Sequence, residues 1–199
     1  MKTLIDEASF ICLDTETTGL SPLEGGRVCE IALLKSRGAN REETFCTLIN
    51  PQIYISPAVT AIHGITNEMV AQSPVFAEIA PRLLDMFENS VLICHNADFD
   101  ISFLQNEFAL LGLKMPSVTI LDTLKFARRH GNFASNRLGA VARACGISSE
   151  GWHRAMADTV MTEKIFYRFL AAFKERGART VEDLFNLQGG ACCCAKKLS

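Results

Sequence analysis

The chain has 199 residues, 48% of them hydrophobic and 21% charged, which excludes a disordered segment and allows one domain with a sizeable core. A formal net charge of -2 excludes a strongly basic nucleic-acid clamp, though not an enzyme that handles nucleic acid through metal ions. "MKTLIDEASF" carries Asp6 and Glu7 where a secretory leader would be apolar, and no run of about 18 apolar residues predicts a membrane span, so a cytoplasmic protein is expected. "SFICLDTE" (9–16), "RVCEIALLKS" (27–36) and "EETFCTLIN" (42–50) predict three strands. The turn-like "SPLEGG" and "RGAN" between them predict an antiparallel meander.

"SPAVTAIHGIT" predicts a short helix closed by Gly64, and Thr66 can cap another. Ser73-Pro74 predicts the start of a helix whose apolar positions are Phe76, Ile79, Leu83, Leu84 and Phe87. "SVLICHN" is continuously apolar, as a central parallel strand is. "DFDISFLQNEFALLGL" predicts a helix with Phe99, Phe103, Leu104 and Phe108 on or near one face. A short strand, "VTILDTL", runs into "LKFARRH", and "NRLGAVARACGI" predicts a helix of about nine residues. "RAMADTVMTEKIFYRFLAAFKERG" is the long last helix, closed by Gly177, and "TVEDLFNL" predicts one more short helix. Antiparallel strands followed by alternating helices and parallel strands imply an α/β domain of three layers with a mixed sheet. The domain is expected over residues 1–175, with a short helix and a flexible Cys/Lys tail over 176–199.

Five of the eight cysteines (Cys12, Cys29, Cys46, Cys94 and Cys145) lie in apolar runs, where a free thiol behaves as a small hydrophobe. A reduced, intracellular protein fits this better than a disulfide framework. Adjacent Cys192, Cys193 and Cys194 lack the spacing of a zinc site.

Three clusters carry chemistry. Asp14 and Glu16 are two residues apart at the end of the first strand, so they point the same way. A hard cation such as Mg²⁺ or Mn²⁺ would relieve their repulsion; the bland alternative is solvation of both at a strand end. The second cluster, His95, Asn96, Asp98 and Asp100, follows the central strand directly, where open α/β sheets place their ligands. Asp98 fits a helix cap, Asp100 fits a group projecting from the first turn, and either could be the functional acid. In the third, His153 lies in the loop before the last helix and Asp158 in its first turns.

Taken in order, the clusters resemble the motifs of the DEDDh exonucleases, and within them the DnaQ-like branch. D-x-E-T-T-G-L is Asp14 to Leu20, H-N-A-x-F-D is His95 to Asp100, and H-x-A-x-x-D is His153 to Asp158. "IHGIT", Ile62 to Thr66, is also carried by this branch, and the second motif selects Asp100 over Asp98. The resemblance covers roughly Phe10 to Leu170. It implies a ribonuclease-H-like fold with a mixed five-stranded sheet, and 3′-to-5′ removal of nucleotides from a free DNA 3′ end. It also implies two Mg²⁺ or Mn²⁺ ions held by Asp14, Glu16, Asp100 and Asp158, with His153 taking the proton of the attacking water. Thr17, Thr18 and Gly19 can bring amide and hydroxyl groups to the terminal nucleotide, with a plain turn as the alternative for Gly19; His63 and Ile65 resemble the family's residues beside the terminal base, Asn96 is expected near it, and Phe103 is expected either to stack on that base or to lie in the core as a helix residue. Single-stranded DNA is the expected partner and a DNA polymerase a candidate one, although little chain is left for a polymerase-binding tail. Arg128, Arg129, His130 and Arg137 form a stretch that could touch phosphates or be a solvated face. The alternatives are the same chemistry on RNA ends and a binding module without chemistry.

Overall fold

The structure is a computed structural model, and it describes residues 3–38, 40–148 and 153–189. The Cys192–Cys194 tail lies outside the described residues. Five strands form one sheet in the order β3-β2-β1-β4-β5. They are β1 (Ser9–Thr17), β2 (Val28–Arg37), β3 (Asn40–Leu48), β4 (Ser90–Cys94) and β5 (Thr119–Asp122). The meander β1-β2-β3 is antiparallel, while β4 runs parallel to β1 and β5 parallel to β4. The carboxyl ends of β1, β4 and β5 therefore share one edge.

The helices are α1 (Pro57–His63), α2 (Asn67–Val70), α3 (Phe76–Phe87), α4 (Ala97–Leu110), α5 (Thr123–His130), α6 (Leu138–Ala144), α7 (Ala155–Glu175) and α8 (Val181–Leu187). Two of them sit on one face of the sheet: Leu83 and Phe87 of α3 and Leu104 and Phe108 of α4 bury Ile11, Leu13, Ile31 and Leu33. On the other face Phe126 of α5 and Phe166 and Phe173 of α7 bury Phe10, Cys12 and Ile93. The period of two thus sends Ile11 and Leu13 toward α4 and Phe10 and Cys12 toward α7. The helix expected after residue 175 is present as α8, whose Val181 and Leu184 pack into this second cluster.

Ser73-Pro74 does not begin α3, as the sequence had suggested. The Pro74 carbonyl accepts the Asn50 N–H at 2.9 Å, and Asn50 bridges Val75, so residues 74–75 stay extended. The helix starts instead at Phe76, where the Glu78 carboxylate turns back to accept the Val75 N–H at 2.8 Å.

The edge strand β5 is closed by a side chain. Gln188, 5% exposed, accepts the Asp122 N–H at 2.8 Å through Oε1 and donates to the Ile120 carbonyl at 2.9 Å through Nε2. The amide does the work of a sixth strand and covers an otherwise open edge. Replacing Gln188 by Ala leaves two backbone groups without partners and should lower the unfolding free energy by about 1–3 kcal/mol, seen as a drop in the urea midpoint at unchanged m-value.

Candidate active site

Asp14 and Glu16 lie at the end of β1 on the α7 face, and Asp158 in the first turn of α7 comes down on them. One carboxylate oxygen from each lies within 4.8 Å of the others. Asp158 Oδ1 is buried and has no hydrogen-bond partner, while the His153 backbone N–H bonds the same carboxyl group. Among the described residues no lysine or arginine forms an ion pair with any of the three. Three hard oxygen donors around an orphaned buried oxygen fit a divalent cation.

Asp100 approaches the same edge from the other side. Thr15, between the two acids of β1, faces α4, and its backbone N–H and Oγ1 both donate to Asp100 Oδ1, at 3.0 and 2.8 Å. Asp100 is 3% exposed and stands outside the group of three, although its charge acts on Asp14. Asp98 faces solvent, with its Oδ1 3.9 Å from Lys125 Nζ.

Burial pushes all four acids up, and neighbouring carboxylates add to it. Asp14 is driven well above the usual carboxylate range by burial and then by Asp100, Asp158 and Glu16. Glu16 rises to about 8 through burial, then Asp158 and Glu30. Asp100 rises to about 7, burial outweighing its bonds to Thr15, and Asp158 reaches about 7, chiefly by burial.

The remaining expected residues divide. Asn96, exposed, begins α4 in a left-handed conformation (φ 76°) with its N–H held by Asp122 Oδ1 at 3.0 Å. His95 is held between Thr123 Oγ1 and the Asn136 carbonyl, each at 2.9 Å, and is structural. In the loop after β1, the Thr17 hydroxyl donates to the Gly19 carbonyl and Thr18 Oγ1 accepts the Arg27 N–H. Arg27 in turn forks onto Glu107 of α4 with two 2.8 Å bonds, pinning the loop.

Phe103 requires a correction. It is fully buried, stacked obliquely on Phe99 at 5.0 Å and packed under Gly26, so it has no open face for a base. Gly26 is required there, because a Cβ would lie 2.8 Å from the Ser21 carbonyl oxygen and 3.0 Å from the Phe103 ring. His63 and Ile65 are also corrected: both are buried beneath the strand end. His63 Nδ1 accepts the Ile65 N–H at 3.0 Å, and the ring also bonds the Thr17 backbone.

Glu30 and Arg154 were not singled out by sequence. Glu30 pairs with Glu16 across the β1–β2 ladder and so shares its face. Its carboxylate, 2% exposed, accepts from Arg154 Nη2 at 2.6 Å, from Arg154 Nε at 3.1 Å and from the Ala155 N–H at 3.0 Å. One signal was available: a lone charge in the apolar run "VCEIALL" must have a partner if the strand is buried.

The raised values carry a sign. In the unfolded chain these carboxyls lose their protons at about pH 4. The folded protein keeps them to about 7 or 8. Between those limits the folded state binds more protons, so the metal-free protein should lose stability as pH rises. Without metal, Tm should fall between about pH 5 and about pH 8.5, and added Mg²⁺ should raise Tm more at the higher pH. Thermal scans with EDTA and with Mg²⁺ check both; a Tm that rises with pH in EDTA would contradict the cluster.

The exonuclease family model RNase_T matches residues 11–166. A DNA polymerase III subunit epsilon-like protein from Rhodobacter capsulatus is 38% identical over 183 residues, covering 90% of this chain and 26% of that protein. A PolC-type DNA polymerase III from Caldanaerobacter subterraneus is 34% identical over 179 residues, covering 89% of this chain and 13% of that protein. The chain spans about a quarter of the first relative's length and less of the second's. The structure of exonuclease X in complex with 5′ overhanging duplex DNA matches with a TM-score of 0.72 over 90% of this chain and 99% of that one; at 24% identity the likeness concerns the fold, which is RNase H-like. With its motifs in order on that fold and the family model covering most of its length, the chain belongs to the RNase_T exonuclease family, in the DnaQ-like branch.

Proposed function

We propose that this protein is a metal-dependent 3′-to-5′ exonuclease that hydrolyses DNA from its 3′ end and releases nucleoside 5′-monophosphates. The observation that carries this reading is the convergence of Asp14, Glu16 and Asp158 within 4.8 Å around a buried, unpartnered oxygen. Two Mg²⁺ or Mn²⁺ ions held by these acids and Asp100 would neutralise phosphate charge and raise the nucleophilicity of water. Asp14, Glu16 and Asp158 would hold an ion on the side of the attacking water, and Asp100, kept in place by Thr15, would with Asp14 help hold a second. His153, exposed in the loop before α7, takes the proton of that water.

Gly19 supports a substrate at this edge. A Cβ on it would meet nothing nearer than the Gly26 Cα at 3.9 Å, so packing within the protein does not require the missing side chain. The terminal nucleotide takes that space, with the backbone of Thr17, Thr18 and Gly19 beside it and Asn96 across the edge. Contact of this backbone with a free 3′ terminus favours removal of end nucleotides over internal cutting. Among the described residues no helix is long and apolar enough to cross a membrane, and the described cysteines are free thiols, in keeping with a reducing, cytoplasmic setting. The names of the relatives make a DNA polymerase the proposed protein partner.

Matched single-stranded DNA and RNA, labelled at the 5′ end, test the reading. A descending DNA ladder that needs Mg²⁺ and disappears in Asp14→Ala is expected; a ladder on RNA alone assigns the enzyme to RNA ends, and binding without any product would make it a binding module. His153→Ala should lower kcat by about 10²–10⁴-fold while the Mg²⁺-induced rise in Tm survives, as a proton-transfer group that is not a ligand requires.

A further inference from the structure

We infer that Glu30 is a positioning residue for His153, acting through Arg154. The inference rests on the exonuclease reading and adds a residue to its machinery. His153 has φ 66°, a left-handed conformation uncommon outside glycine, which histidine, like asparagine and aspartate, adopts more readily than most and which its surroundings here fix. Two contacts impose it. On one side the His153 N–H bonds the Asp158 carboxyl group. On the other, the next two residues are seized together by Glu30: the Arg154 guanidinium by its fork, at 2.6 and 3.1 Å, and the Ala155 N–H at 3.0 Å. The Asp158 N–H closes the turn on the Arg154 carbonyl at 3.1 Å. The backbone from which the imidazole projects is thereby tied at both ends.

The geometry also explains why the latch is a carboxylate on β2. Glu30 is the ladder partner of Glu16, so one residue links the strand that presents a metal-site acid to the residue beside the proposed base. A carboxylate offers two oxygens to three donors at once, whereas an amide of the same size offers one. Arg154 also neutralises a charge that would otherwise join Asp14, Glu16 and Asp158 on the same face. Ala155 opens α7, and an acid on its first N–H adds a favourable interaction with the positive end of a 21-residue helix.

The test is a double-mutant cycle with an independent spectroscopic arm. Glu30→Gln should lower kcat on single-stranded DNA by roughly tenfold, with KM and the Mg²⁺-induced Tm rise changed by less than about twofold, because only the aim of the base is lost. In a His153→Ala background the same substitution should cost nothing further. Arg154→Lys, which keeps the charge that balances Glu30 but loses the fork, should reproduce the loss in part. Histidine NMR of the metal-free protein should show the His153 ring resonance, assigned by its absence in His153→Ala, displaced in Glu30→Gln while those of His95 and His130, held by Asn136 and Leu187 away from Glu30, stay in place. Equal losses in the wild-type and His153→Ala backgrounds would overturn the inference, as would an unmoved His153 resonance. Absence of nuclease activity in the wild-type chain would refute the exonuclease reading instead, and the NMR result would still decide the contact.

Discussion

Asp14 and Glu16 leave β1 on the same face because a strand repeats every two residues, and Asp158 closes on them from α7. Two unit charges about 5 Å apart repel by on the order of 3 kcal/mol at an effective dielectric constant of about 20. Three such groups, with no lysine or arginine among the described residues paired to them, hold on to protons unless a cation joins them. The raised affinity of these acids for protons and the orphaned oxygen of Asp158 are two expressions of that constraint. A proton and a divalent cation would compete for one set of oxygens, so stability and metal affinity would be linked through pH.

Holding like charges together demands a rigid frame, and the sheet supplies it. β1 is central, antiparallel to β2 and parallel to β4, and is buried on both faces by aromatic residues. Its two faces are then used separately. Asp14 and Glu16 look toward α7, while Thr15 looks toward α4 and fixes Asp100 with two bonds to one oxygen. Acids from two helices on opposite sides of the sheet thus meet at a single edge without either helix having to cross it.

Around this edge the segments that lack regular structure are tied down by charged side chains. Arg27 and Glu107 anchor the loop after β1 to α4, Asp122 holds the turn that begins α4, and Glu30 with Arg154 holds the start of α7. Each anchor is a charge-assisted hydrogen bond to a backbone or a guanidinium group, of the kind that fixes position more sharply than apolar contact does. The apolar core sets where the elements lie, and these few polar contacts set where the side chains at this edge point.

Much of this was legible in the residues themselves. The three antiparallel strands, the capping Thr66, the closing Gly64 and the face shared by Asp14 and Glu16 follow from local rules of period and capping, which depend on neighbours a few residues away. The order of the acidic motifs was enough to suggest the family. What the linear chain could not decide was partnership over distance. Asp98 and Asp100 are two residues apart; the motif resemblance chose Asp100, but the physical reason is the approach of Thr15, 85 positions earlier, which separates the one that faces solvent from the one at the edge. Phe103 is a core residue because Gly26 leaves room above it, and Glu30 matters because Arg154, 124 positions away, returns to it. Local periodicity tells which face a side chain takes; which side chain waits on that face depends on the sheet order and the helix crossings, and those exist only once the chain has closed on itself.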